Sequence, residues 1–312
     1  MMKNIILAIA AMVVSVGIAS PQDMAQATEL YNNGATAISM ENWTEALDYF
    51  QKALEMGKTI GDEAQELVAN CKKAIPGVSL QIAKDLIKAE KYDEAAGKLE
   101  AAAKIAEEFE NAEVAQEAKD LVPKMWMQKG ADALKLKDFA TAADGFAKSY
   151  AIDTTAGKTA LYLGQALGQL GKTDEAVEAF KHAAWNGEEE AAKGQISNLY
   201  VKEANTAFKA QKFADAVKAA DKANSFAENA TAYLIAGQAS QKLSKNNDAI
   251  KNFEKYLELK PNASNANGII FTVGALYQGQ KNNAKALEFY KKVQNDAKYG
   301  AQAKQMIAAL SK

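Results

Sequence analysis

Arginine is missing from this chain: all 37 basic side chains are lysines. Guanidinium groups are the usual bidentate readers of phosphates and guanine edges. Their absence, with a net charge of only −2, speaks against a nucleic-acid partner. Histidine and cysteine occur once each, as His182 and Cys71. One histidine and one distant thiol supply neither a nucleophile–base–acid set nor a histidine metal site. No P-loop, GxSxG, HExxH or CxxC pattern is present. No catalytic residue, metal or cofactor is therefore expected. Cys71 has no partner for an internal disulfide, and it shares an apolar helical stripe with Ala64, Leu67, Val68 and Ile75, the place of a buried small hydrophobe. Runs of acids at Glu107-Glu108 and Glu188 to Glu190 sit at neighbouring helix positions that point to different sides, so they read as solvated.

Long apolar runs are also absent, apart from Ile5 to Ile18. That run is short of the ~20 residues that a membrane span needs. Lys3 precedes it and the small residues Gly17 and Ala19 stand at its end, the pattern of a secretory signal peptide cut after Ala19. Residues 1–19 are thus expected to be removed. The mature chain, 20–312, would be periplasmic with no membrane span, secretion being the alternative. Ser20-Pro21-Gln22-Asp23 then starts a helix, with serine as the cap and proline at the first helical position.

What the chain has in quantity is a spacing. In Gly237 to Asn262, Ala249, Phe253, Tyr256 and Pro261 follow the glycine at +12, +16, +19 and +24. Such offsets fit two helices joined by a tight turn at Lys245-Asn246-Asn247, with small residues at the close approach and Phe253 as the wedge. The spacing recurs from anchors at Gly34, Ala83, Gly130, Gly164, Ala204 and Gly274. The +12 residue is alanine in all seven units, and only the fifth, with Ala220 at +16, lacks a bulky wedge.

This pattern resembles the tetratricopeptide repeat over about residues 24–298. The resemblance implies an all-α fold, a right-handed alpha-alpha superhelix of about seven helix-turn-helix units. Anchors lie 49, 47, 34, 40, 33 and 37 residues apart, against a family period of 34. The first two units therefore carry extra pieces, Ile60 to Ile75 and Ile105 to Val122, ending at Pro76 and Pro123. Each reads as an extended second helix or an added short one. No Gly/Ser/Pro-rich linker marks a boundary near Pro123, so residues 20–312 read as one solenoid. Ala303, Met306, Ile307 and Leu310 predict a capping helix over about 299–310.

In that family first helices line the concave groove. At the groove-facing offsets the seven units carry seven lysines and no acid, with amides in the later units. Lys135, Gln165, Asn205, Lys209, Gln238 and Lys242 are the candidate peptide-binding residues. Lysines and amides together can hold a peptide backbone or a carboxylate. The expected partner is a protein or peptide, including one with an acidic tail, and the expected role is a non-enzymatic scaffold of the bacterial envelope. The family's carboxylate clamp is not reproduced: Asn205 fits it, but Val201, Ala232, Gly268 and Thr272 do not. A glycan or small ligand stacked on Tyr31, Trp43, Trp126 or Phe271 is the alternative. The amino-terminal reading is checked by intact mass and terminal sequencing of protein recovered from the periplasm of an exporting host. A chain starting at Ser20 is expected, and a full-length chain confined to the cytosol would overturn the export reading.

Overall fold

A computed structural model describes residues 21–311, and the expected signal peptide lies outside them. The chain divides into two compact units, Met1–Thr155 and Ala156–Lys312. Unit 1 holds helices α1 (Pro21–Ser39), α2 (Trp43–Ile60), α3 (Gln65–Lys88), α4 (Tyr92–Glu108), α5 (Ala112–Lys135) and α6 (Phe139–Ile152). Unit 2 holds α7 (Gly157–Gln169), α8 (Thr173–Ala183), α9 (Glu189–Lys209), α10 (Phe213–Phe226), α11 (Ala230–Lys242), α12 (Asn246–Leu259), α13 (Ala266–Gly279), α14 (Asn283–Lys292) and α15 (Gly300–Leu310). No strand occurs among the described residues. Consecutive helices pair as α1/α2, α3/α4 and α5/α6 in unit 1, and as α7/α8, α9/α10, α11/α12 and α13/α14 in unit 2.

The close approach inside each hairpin is made by the spaced residues. Alanines at +12 (Ala46, Ala95, Ala142, Ala176, Ala216, Ala249, Ala286) have no exposed surface. The wedges Phe50, Phe146, Phe180, Phe253 and Tyr290 are at most 1% exposed, and each ring lies on its anchor glycine. A β-carbon on Gly130 would stand 2.7 Å from the Phe146 ring, and one on Gly237 would stand 2.6 Å from Phe253. In the fifth hairpin, where Ala204 and Ala220 meet, aromatic pairs flank the small contact instead. Phe208 meets Phe213 at 5.5 Å, and Tyr200 stacks on Phe226 at 5.9 Å.

Every hairpin turn has the same geometry. One residue takes a left-handed conformation (Glu41, Glu90, Lys137, Gly171, Gln211, Ser244, Lys281). The next N–H reaches five residues back, as from Asn42 to the Ala37 carbonyl at 2.9 Å and from Lys212 to that of Ala207 at 2.9 Å. This satisfies orphan carbonyls at the helix end. Only one of these left-handed sites is a glycine.

The extra pieces of the first two units differ from expectation. They lengthen the first helix of the following hairpin, and Pro76 and Pro123 lie inside α3 and α5. A mid-helix proline costs about 3 kcal/mol. Here buried side chains stand on both sides of it: Cys71 and Ile75 before Val78 and Leu80 in α3, and Ala115 and Ala118 before Met125 and Trp126 in α5. Apolar burial at about 1.5–3 kcal/mol per large side chain outweighs the lost hydrogen bond. The second piece is also broken by a turn at Glu110, after which Asn111 accepts from the Val114 N–H at 3.2 Å and caps α5. In unit 2, a π-helical turn at Ala184–Glu188 with Gly187 at φ 94° supplies the longer spacing before α9.

At the carboxyl end, Ala303 is fully buried, and Met306, Ile307 and Leu310 of α15 pack against Tyr290 and Val293. The Phe271 and Tyr299 rings stack beside them at 5.6 Å. Gly130→Ala and Gly237→Ala are expected to destabilise the fold by about 1–3 kcal/mol, because the wedge ring must move. Gly97 is exposed within α4 with open space around it, so Gly97→Ala is expected to stabilise by about 0.5–1 kcal/mol. Urea unfolding of the three variants checks both signs.

Candidate interaction surface

The anchors set where the neighbouring side chains of each first helix stand. In unit 2, α9 packs against both α7 and α11, so three first helices lie side by side. Gln165, Asn205 and Gln238 each follow an anchor by one residue, and together they form a row of amides across these helices. Gln165 and Gln238 are half-buried, and Asn205 is exposed. Four residues further on stand Gln169, Lys209 and Lys242, all exposed. Neither Lys209 nor Lys242 enters an ion pair among the described residues.

Lys135 belongs to unit 1 and is placed differently. Its ammonium donates to Asp132 at 2.8 Å. Asp132 also accepts from the Tyr92 hydroxyl at 2.5 Å and from Gln128 at 2.9 Å. Lys135, then Tyr92 and Gln128, hold the Asp132 carboxyl down at about 2. The other groove-offset lysines at the start of unit 1 are paired as well, Lys84 with Glu117 at 2.6 Å and Lys88 with Asp85 at 2.9 Å. Acids from neighbouring positions thus pair three of the four groove-offset lysines of unit 1, Lys124 standing apart, which offset counting on the first helices does not register.

Two clefts were not anticipated from the sequence, and none of the six candidate residues lines either. One, of about 960 Å³, lies on α1 and α2, with Leu30, Met56 and Ile60 beside Asp23, Asp48 and Glu55. The other, of about 710 Å³, lies in unit 2 between the α7/α8 and α9/α10 hairpins. Its α10 wall carries Lys218 and Lys222, and the Lys222 ammonium sits 4.3 Å from the centre of the Tyr200 ring.

The aromatic residues considered for stacking serve the core. Tyr31 is 7% exposed with its edge on Phe50, and Trp126 is 9% exposed beneath Lys129 and Lys148. Phe271 is held between Tyr290 and Tyr299, and Trp43 packs on the α1/α2 core. The exposed large aromatic is Trp185, 74% accessible on the π-helical turn, with the half-buried His182 ring edge-on at 5.2 Å. The Asn186-Gly187 pair is the turn signal that would have located it. Cys71 is fully buried, and burial pushes its thiol up to about 12. Among the described residues, no group of three or more His, Cys, Asp or Glu could hold a metal ion, and no helix is long and apolar enough to cross a membrane.

Comparison with known proteins bears on this geometry at the level of the repeat. The tetratricopeptide repeat model matches residues 162–184 and 230–263, which cover α8 and the α11/α12 hairpin. These stretches match tetratricopeptide repeats, an all-helical hairpin fold whose members in general mediate protein–protein interactions. Among solved structures it is similar to MamA protein, at 20% identity over 58% of this chain and 94% of that one, with a TM-score of 0.38. It is also similar to the TPR2AB domain of yeast Sti1 in complex with pHSP90, at 20% identity over 92% and 99%, with a TM-score of 0.36. PilF of Pseudomonas aeruginosa matches at 14% identity over 62% and 90%, with a TM-score of 0.31. At such scores no residue correspondence is carried over from these structures. No curated protein matches the chain in sequence.

The Asp132 network gives a signed pH dependence. Its carboxyl is depressed in the folded state, so its contribution is complete above the ordinary carboxylate value near 4 and is lost as pH falls toward about 2. Asp132→Asn is expected to lower stability at pH 6 and to flatten its acid-side decline. Thermal melts between pH 6 and 2 test this, and parallel curves for the two proteins would refute it.

Proposed function

We propose that this protein is a non-enzymatic interaction scaffold of the bacterial envelope that holds an extended peptide segment of a partner across the first helices of unit 2. The observation that carries the reading is the amide row, Gln165, Asn205 and Gln238, on three packed first helices. A primary amide both donates and accepts, so a row of them can follow a peptide backbone without demanding one sequence. Lys209 and Lys242, exposed beside the row, favour a segment with acidic side chains or a terminal carboxylate. Lys135 plays no direct part in this reading, because Asp132 already occupies its ammonium. Export by residues 1–19 would put the scaffold in the periplasm. Burial of Tyr31 and Trp126 removes two of the four platforms of the glycan alternative.

The test is a pull-down from envelope extract with the wild-type protein and two variants. One changes Gln165, Asn205 and Gln238 to alanine, and the other is Lys209→Glu with Lys242→Glu. Each net hydrogen bond is worth about 1 kcal/mol, so the amide variant is expected to bind the identified partner at least about tenfold more weakly. The charge-reversed variant is expected to lose acidic segments selectively. A partner that binds all three proteins equally refutes the groove assignment.

A further inference from the structure

The cleft on α1 and α2 is a repeat face with nothing stacked on it among the described residues. Four residues before the anchor, Ser79 and Trp126 in the next two hairpins of unit 1 are 6% and 9% exposed, whereas Leu30 in the first is partly open. With Met56 and Ile60, Leu30 gives the cleft an apolar floor, and Asp23, Asp48 and Glu55 line it with acid. Residues 21–60 contain six carboxylates and two lysines, a net −4, although the whole chain carries only −2. The compensating charge is concentrated at the other end. Residues 281–311 contain six lysines and two acids, a net +4.

We propose that the cleft on α1 and α2 receives the basic carboxyl-terminal end of a second copy of this chain, seated through the outer face of α15. That face carries Ala301, Lys304, Gln305 and Ala308, spaced as one helical stripe and all exposed. Its small side chains let a helix sit low against the Leu30, Met56 and Ile60 floor. Lys304 is then presented to the acidic lining, with the exposed Lys291 and Lys298 on adjoining segments. Within the cleft Lys52 is taken by Asp48 at 2.6 Å. Glu55 is held by Lys58 at 2.8 Å, and Asp23 has no lysine against it among the described residues. The two surfaces are different, so the contact is heterologous and a docked pair keeps one unused end of each kind. Long-range attraction between ends of opposite charge speeds the encounter and is weakened by salt.

Sedimentation of the purified protein over a range of concentrations tests this, together with two charge-reversed variants. One is Asp23→Lys, Asp48→Lys and Glu55→Lys, and the other is Lys291→Glu, Lys298→Glu and Lys304→Glu. The wild-type mass is expected to rise with concentration at low salt and to return to monomer at high salt. Each variant alone is expected to stay monomeric. Their equimolar mixture is expected to associate, because the intact acidic end meets the intact basic end and the two reversed ends are again opposite in charge. Recovery in the mixture also shows that both variants are folded. A wild-type protein that stays monomeric, a single variant that still associates, or a mixture that does not pair overturns the proposal. Changing Lys209 and Lys242 leaves this association untouched, so the outcome is independent of the peptide-binding reading.

Discussion

An aromatic ring resting on the bare Cα of a glycine is the contact on which the rest of this structure depends. It brings the two helices of a hairpin together with no side chain on one side of the interface, and it leaves one low-energy way to pair them. Register follows from that single contact. Once Phe180 lies on Gly164 and Phe253 on Gly237, the residues next to each anchor occupy equivalent places, and a row of amides becomes possible. The fifth hairpin shows what happens without the ring. Ala204 and Ala220 still meet closely, but the alignment is carried by aromatic pairs on either side of the small contact.

The hairpins were legible in the sequence because their cause is local: an anchor, an alanine twelve residues on and a wedge four after that. Pro76 and Pro123 misled because proline is a weak stop where both flanks of the helix are buried, and burial belongs to tertiary structure. Glu110 was missed for a related reason, since a left-handed glutamate carries no compositional mark comparable with glycine. The candidate surface was only partly legible. Offsets placed Gln165, Asn205 and Gln238 on equivalent positions, but the acid beside Lys135 lies three residues back on the same helix, outside the offsets counted. The cleft on α1 and α2 could not be read from any repeat pattern, because it exists where the pattern begins.

Charge is distributed along this chain rather than balanced within each repeat. Lys84, Lys88 and Lys135 at the groove offsets of unit 1 are answered by Glu117, Asp85 and Asp132, while Lys209 and Lys242 of unit 2 stand beside uncharged amides. Similar side chains at equivalent places thus have different chemistry. A paired lysine stiffens its own surface and contributes little attraction, whereas an unpaired one beside amides keeps its field for a ligand. Lysine in place of arginine suits that division, because an ammonium commits to no fixed planar geometry.

The hairpin turn and the spacing between hairpins behave as a constant and a variable. All seven turns share one geometry, including six that place a non-glycine residue in the left-handed region. The differences in anchor spacing are taken up elsewhere, by the early starts of α3 and α5 and by the π-helical turn before α9. Each hairpin is closed by its own turn and its own close contact, so residues gained or lost ahead of a first helix do not shift the register of the hairpin that follows. The seams between repeats are thus where this chain can tolerate insertions and deletions during evolution, changing the pitch from one repeat to the next while every hairpin keeps its internal fit.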